Sequence, residues 1–274
     1  MNLYTKKILK QIIPRWIIEK LNAFFYYNSF SDGYKSFDEL NKISTKYDSD
    51  KVIERAQIAF KISRSKSYLN DRDGEVFLKK NINFKLINII STCIKDKKAE
   101  YCVIDYGGSL ANFYRSNIQH LKKYNIKWIV VDNEKICYLG NKILRNRDIY
   151  FFSNLKKTKK FIDIYNLKSA LFFFGSSVQY LDKFEDILFE INNFNCKQII
   201  IERQPILRFK PTTYALQKTF FSTGNFSYPV KLYNYNKLIS LVRKYNFFLM
   251  ESFKGFGNNF KDGEYKTMIF KKYD

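Results

Sequence analysis

Six positions in the middle of the chain have the residue types and spacing to hold a nucleoside. In Tyr101–Asn117, YCVIDYGGSLANFYRSN, an apolar run ends in Asp105, turns through Gly107 and Gly108, passes Ser109 and enters an expected helix. Paired glycines let a backbone turn tightly and approach a ligand closely. The helix that follows offers unpaired N–H groups and a positive dipole end to a carboxylate or phosphate. Further on, the apolar run WIVV ends in Asp132 and Asn133, and a carboxylate at the end of a second strand is the kind of group that grips ribose hydroxyls. Together these outline a nucleoside-cofactor site.

Ligands of open α/β sheets gather at the carboxyl ends of strands. That edge also takes in Phe152–Asn154, with Ser153, and Gly175–Gln179, with Ser176. Gln179 and Tyr180 stand on that edge; the alternative for Tyr180 is a packed start to the next helix. Glu202 and Arg203 end another apolar run on the same edge. A guanidinium there suits a phosphate or carboxylate of a ligand, gripped in a bidentate way, with a structural salt bridge as the rival. His120, the only histidine, lies about three helical turns beyond the glycine turn and is expected far from the strand ends, hence not catalytic.

The elements that must position these residues follow from periodicity. Tyr101–Asp105, Trp128–Asp132, Ile149–Phe152, Ala170–Phe174 and Ile199–Glu202 are short apolar runs, most without polar alternation, as in strands buried on both faces. Leu110–Lys123, Lys135–Leu144 and Lys183–Asn192 read as helices between them. Phe247–Phe253 and Lys266–Lys271 are too close for a helical crossover, so the last two strands are expected as antiparallel neighbours. The expectation is an α/β doubly wound sheet, mostly parallel with an antiparallel last strand, over residues 99–274. Residues 1–98 read as a helical extension: Leu3–Tyr27 amphipathic and kinked at Pro14, a turn at Ser31–Tyr34, a helix over Asp50–Ile62, and another drawing on Val76, Phe77 and Phe84–Ile90 to reach Cys93. Pro205–Pro229 reads as a long loop of the kind that is usually functional.

The 46% apolar and 18% aromatic content is enough for a sizeable core and argues against disorder. Four scattered cysteines with no CxxC pair read as reduced thiols, and no metal site is expected. The net charge of +22 invites phosphates, but lysine is spread along the whole length, so no dedicated nucleic-acid site is expected. No apolar run reaches the ~20 residues of a membrane span and no leader peptide is legible, so a cytoplasmic protein is expected. The basic Leu3–Tyr27 segment leaves two alternatives: docking on its own domain, or peripheral contact with an anionic membrane at its inner face.

The nicotinamide fingerprint G-x-G-x-x-G is absent, with Ala111 where a final glycine would be sought, and by analogy Asp-x-Gly-Gly suits sheets that bind S-adenosylmethionine. In order along the chain stand FSDGYKSFDEL, KYDSDKVIERA, VIDYGGSLANFYRSN, SSVQYLDKFEDIL, IIIERQPI and SYPVKLYN. This ordered set, from about Phe30 to Lys271, resembles a family of S-adenosylmethionine-dependent methyltransferases associated with bacterial surface-polysaccharide gene clusters. The resemblance implies a class I methyltransferase-like fold and S-adenosylmethionine as cofactor. It implies a small-molecule or glycan acceptor and a cofactor set of Asp105, Gly107, Gly108, Ser109, Asp132, Asn133, Ser153 and Ser176. Gln179, Tyr180 and Arg203 are its acceptor-side candidates, while Asp32, Gly33, Tyr34, Lys46, Tyr47 and Asp48 match positions suited to a lid. The chain departs at Ala111, where relatives often carry glycine, and at Asp132, where glutamate is commoner. An RNA-directed methyltransferase and a catalytically degenerate scaffold are the alternatives.

Overall fold

The computed structural model describes residues 29–65, 69–72, 74–77, 82–94, 99–144, 147–221, 224–255 and 259–273. The Leu3–Tyr27 segment, with its two alternatives, lies outside the described residues. The chain runs through strand β1 (Phe30–Tyr34), helices α1 (Phe37–Ile43) and α2 (Asp50–Ser63), the short hairpin β2 (Asn70–Arg72) and β3 (Glu75–Phe77), and helix α3 (Phe84–Thr92). Strands and helices then alternate: β4 (Tyr101–Tyr106), α4 (Asn112–Leu121), β5 (Ile126–Val131), α5 (Glu134–Ile143), β6 (Ile149–Phe152), α6 (Leu155–Ile164), β7 (Lys168–Gly175), α7 (Phe184–Ile191) and β8 (Gln198–Leu207). A hairpin of β9 (Thr213–Phe221) and β10 (Gly224–Asn234), helix α8 (Tyr235–Arg243), and strands β11 (Phe247–Lys254) and β12 (Gly263–Lys272) follow.

Small polar side chains start these helices where the sequence puts them. Ser36 accepts from Glu39 N–H, Asn83 from Leu86, Asn133 from Ile136, Asn154 from Lys157, and Asn234 from Asn236 and Lys237. Each satisfies a donor the helix leaves open, and losing such a cap costs ~1 kcal/mol.

The main sheet has the order β6–β5–β4–β7–β8–β12–β11. Its first five strands are parallel, and β12 runs antiparallel to both neighbours. This is the mostly parallel, doubly wound sheet with an antiparallel last strand expected of a class I methyltransferase-like chain. Successive strand residues serve opposite faces. Val103, Val130 and Phe173 pack under α3, α4 and α5, while Ile104, Ile129 and Phe172 pack under α6, α7 and α8. Both faces are covered, which is why the runs lack polar alternation. From β4 the chain winds outward through β5 and β6, then returns to β7 on the other side of β4. The switch point therefore lies between the ends of β4 and β7.

Beyond Glu202, β8 leaves β7 and rises above this edge, pairing in parallel with β10 at Tyr233↔Ile206 and Asn234↔Leu207. There β10, β9 and β1 form a small antiparallel sheet over the switch point. Three expectations are corrected here. FSDGY is not a turn but strand β1, with a register shift between Asp32 and Tyr34 and Gly33 at φ +100°. Val76 and Phe77 lie in strand β3, so the helix to Cys93 begins only at Phe84. Pro205–Pro229 is no loop: most of it is strand, because its Thr, Tyr and Phe residues pair across β9 and β10. The described part of the extension therefore mixes strands with helices. It sits on the sheet's edge, where Ala56 and Phe60 of α2 pack on Leu110, Ile136 and Leu139.

Candidate active site

The glycine turn is shaped by what surrounds it. Gly107, at φ +74°, donates its N–H to Val131 O at 2.8 Å, tying β4 to β5. A Cβ there would lie 2.5 Å from the Cβ of Ser177, beyond the end of β7. At Gly108 it would lie 2.4 Å from the carboxylate of Asp105. Both glycines are thus imposed by contact: one lets the two sides of the switch point meet, the other lets the loop lie on a buried acid. Ser109 (φ +51°) and Ala111 (φ +56°) also adopt left-handed backbone, the latter immediately before α4. That conformation costs a non-glycine residue roughly 1–2 kcal/mol, so Ala111 stands where glycine would relax the chain.

Two carboxylates hold the turn from below. Asp105 accepts from Trp128 Nε1 at 2.9 Å, and its Oδ1 is buried without a partner. Burial, only partly offset by the Trp128 bond, pushes its carboxyl up to about 7. Asp132 Oδ2 accepts from Ser109 N–H at 2.9 Å, and Oδ1 accepts from Asn133 N–H at 2.7 Å and Asn133 Nδ2 at 3.0 Å. Burial raises it to about 6, against the pull of those bonds. Asp132 therefore anchors the glycine turn to the end of β5 as well as facing the cavity.

Across the switch point, Ser177 Oγ donates to Tyr106 O at 2.6 Å and Ser176 N–H to Glu202 O at 2.9 Å. Ser176 (φ +59°) and Arg203 (φ +52°) complete a ring of four strained non-glycine residues around this edge. Of the other four such residues described, three are asparagines, the type that tolerates this conformation best. Strain gathered at one edge is a mark of a functional site. Gln179 is buried. Its amide donates to Ser176 O at 2.7 Å, so it shapes the loop rather than the cavity wall.

These groups surround a cavity of about 420 Å³. Asp105, Gly107, Gly108, Ser109, Asp132, Asn133, Ser153 and Ser176 all line it, as do Tyr180, Arg203 and Tyr47. His120 does not; it meets Phe84 edge-on at 5.1 Å. Three cysteines are buried, and burial raises Cys102 to about 12, Cys137 to about 11 and Cys196 to about 12, leaving them poor nucleophiles. Among the described residues, no group of three His, Cys, Asp or Glu side chains is placed to hold a metal, and no helix is long and apolar enough to cross a membrane.

Sequence reasoning missed the wall supplied by the extension and α4. Asn70 and Asp71 of β2, Asn83 ahead of α3, and Asn117 of α4 all line the cavity. Buried Asp71 accepts from Arg115 at 2.8 Å on each oxygen and from Ser63 Oγ at 2.6 Å, while Ser116 Oγ donates to Asn70 Oδ1 at 2.6 Å. Asn83 Nδ2 donates to Glu202 Oε1 at 3.2 Å. The one local signal was Asn83 as a cap three residues before Leu86.

No family model matches the chain, and no curated protein matches it. Among solved structures, it is similar to an S-adenosylmethionine-dependent methyltransferase from Clostridium acetobutylicum ATCC 824, at 12% identity and TM-score 0.44 over 71% of this chain and 94% of that chain. It is also similar to Burkholderia thailandensis 1,6-didemethyltoxoflavin-N1-methyltransferase with bound 1,6-didemethyltoxoflavin and S-adenosylhomocysteine, at 9% identity and TM-score 0.46 over 89% and 93%. The glycopeptide N-methyltransferase MtfA complexed with S-adenosylmethionine is similar at 10% identity and TM-score 0.45 over 70% and 95%. These are distant likenesses of chain path, and the chemistry of this chain is read from its own cavity.

Proposed function

We propose that the cavity binds S-adenosylmethionine at the ends of β4 and β5, and that the protein transfers its methyl group to a hydroxyl of a sugar or glycoconjugate precursor. The observation that carries this is the junction of the glycine turn and Asp132 through the Ser109 N–H on the wall of the cavity. The residues fit such a cofactor. The glycines let the turn lie close against Ser177 and Asp105 at the cavity's edge, and a carboxylate has about four acceptor positions, of which Asp132 uses three within the protein. One is left for a ribose hydroxyl.

The cofactor, when bound, supplies an electrophilic methyl carbon on a sulfonium. The protein's share is alignment: the Ser176–Tyr180 segment and the β8 edge fix the acceptor, and the extension shields the cavity from water. Glu202, a carboxylate of the cavity wall that accepts from Asn83, would take the acceptor's hydroxyl proton.

Titration calorimetry with S-adenosylhomocysteine tests the reading. Binding is expected, and Asp132→Ala should weaken it roughly ten- to hundredfold, the worth of a charged hydrogen bond. No binding by the native protein refutes the cofactor, and an unchanged affinity in the variant refutes the ribose assignment.

A further inference from the structure

We propose that the part of the cavity beside β8 and the small upper sheet is a subsite for an acidic hexopyranose, a sugar ring bearing a carboxylate or phosphate, anchored by Arg203 and stacked on a wall of Tyr47 and Tyr180, which buried Tyr228 backs from behind. This rests on the methyl-transfer reading of the same cavity.

The anchor is built by a β-bulge. In a regular strand, Glu202 and Arg203 would point to opposite faces. Between the pairs Met268↔Ile201 and Lys266↔Gln204, β8 uses one residue more than β12, and Arg203 takes up the difference at φ +52°. As a result both side chains line the cavity. Left-handed backbone is unfavourable for arginine and persists because its surroundings over-determine it. Arg203 N–H donates to Thr267 Oγ1 at 3.2 Å, its guanidinium lies 5.2 Å over the Tyr265 ring, and Nη1 is 3.5 Å from Ser176 Oγ. These contacts hold in place a planar fork of donors that matches carboxylate and phosphate.

The wall is equally preset. Ring centroids of Tyr47 lie 5.1 Å from Tyr180 and 5.2 Å from Tyr228, with Tyr180 and Tyr228 6.0 Å apart. Thr45 and Ser227 clasp each other, Thr45 N–H donating to Ser227 O at 2.9 Å and Ser227 N–H to Thr45 Oγ1 at 3.2 Å, which seats Tyr47 against Tyr228. Tyr180 OH donates to Gln217 Oε1 at 2.7 Å. Rings this close admit no flat guest between them. They offer a single wall, suited to the C–H face of a saturated ring, whose weakly positive hydrogens meet the negative aromatic face. The rest of the lining includes neutral hydrogen-bonding groups, such as Asn70, Asn83, Asn117 and Ser116, together with the carboxylates Asp71, Asp105, Asp132 and Glu202, of which Asp71 is paired with Arg115. That composition matches a ring carrying several hydroxyls. The net charge of +22 adds a field that draws anions in.

The test is calorimetry on the protein saturated with S-adenosylhomocysteine, titrated separately with α-D-glucose 1-phosphate, methyl β-D-glucuronide, methyl β-D-glucoside and inorganic phosphate. At least one anionic sugar should bind roughly tenfold tighter than the neutral glucoside, the worth of a charge-assisted hydrogen bond, and which one does identifies the anion. Arg203→Gly, which relaxes the left-handed backbone, should abolish the preference. Tyr180→Ala should weaken both sugars by a similar factor. The proposal is overturned if neither anionic sugar outbinds the glucoside. It is also overturned if inorganic phosphate matches them and Tyr180→Ala has no effect, the result of a bare anion site. The same titrations without S-adenosylhomocysteine read the sugar preference alone, so failure of the cofactor to bind strikes only the methyl-transfer reading.

Discussion

Replacing Gly108 by alanine adds one methyl group against an acid that cannot move away. The new Cβ would stand 2.4 Å from both Cγ and Oδ2 of Asp105, whose side chain is 1% exposed and whose Oδ2 accepts from Trp128 Nε1 at 2.9 Å. Either the turn lifts or the carboxyl swings off the indole. Overpacking of this kind costs ~1–3 kcal/mol, and a buried donor left unpaired costs ~1–3 kcal/mol more. The expected loss is therefore roughly 2–6 kcal/mol, a large part of a domain's ~5–15 kcal/mol margin. Urea denaturation of the native protein, Gly108→Ala, Asp105→Ala and the double variant measures it. With the carboxyl gone, the alanine methyl has space, so the double variant should be more stable than the sum of the single losses by at least about 1 kcal/mol. Additivity to within ~0.5 kcal/mol, the behaviour of independent sites, would refute the steric account of the Gly-Gly turn.

The raised carboxyls make a signed pH prediction. Asp105 moves from 3.8 to about 7 and Asp132 from 3.8 to about 6 on folding, so between those values the native state holds protons that the unfolded chain has released. Stability contributed by these groups is intact below about pH 4 and falls as pH rises through the folded pKa values. Asp105→Asn removes its part of that penalty, so denaturation midpoints from pH 4 to 8 should shift in favour of the variant by up to roughly 4 kcal/mol; a difference independent of pH would show that Asp105 is not held protonated. Arg115→Met leaves Asp71 buried without its cation and should cost about 3–5 kcal/mol in a thermal or urea melt. A loss below ~1 kcal/mol would mean that the hairpin is not fixed to α4 through this pair.

The main sheet was legible because burial on both faces leaves a plain trace: runs such as CVID and WIVV can hardly be anything but central strands. The glycine turn was legible because its neighbours forbid a Cβ, and Asp132 because it ends such a run. The upper sheet was not. The span Pro205–Pro229 reads as a loop, yet Pro229 sits in β10 beside Leu216, on a stretch where β8 pairs only with Tyr233 and Asn234. Nor was the strained ring of Ser109, Ala111, Ser176 and Arg203, since nothing in those residue types announces left-handed backbone. Asn70, Asp71 and Asn117 stayed invisible for another reason: their place on the cavity follows from the β2–β3 hairpin docking on α4, a contact between distant segments.

The position of β12 governs the order in which the molecule is assembled during synthesis. In space it lies between β8 and β11, yet in sequence it follows both. A chain leaving the ribosome N-terminus first therefore has the glycine turn, β5 and β7 available while one edge of β8 is still bare. Such an edge is a template for intermolecular pairing during the slow closure of a non-local sheet. The bulge at Arg203 needs Thr267, and so the guanidinium is among the last groups to reach its place. A nascent or truncated chain lacking β12 would have the turn without the anchor, and would be recognised first by its tendency to aggregate.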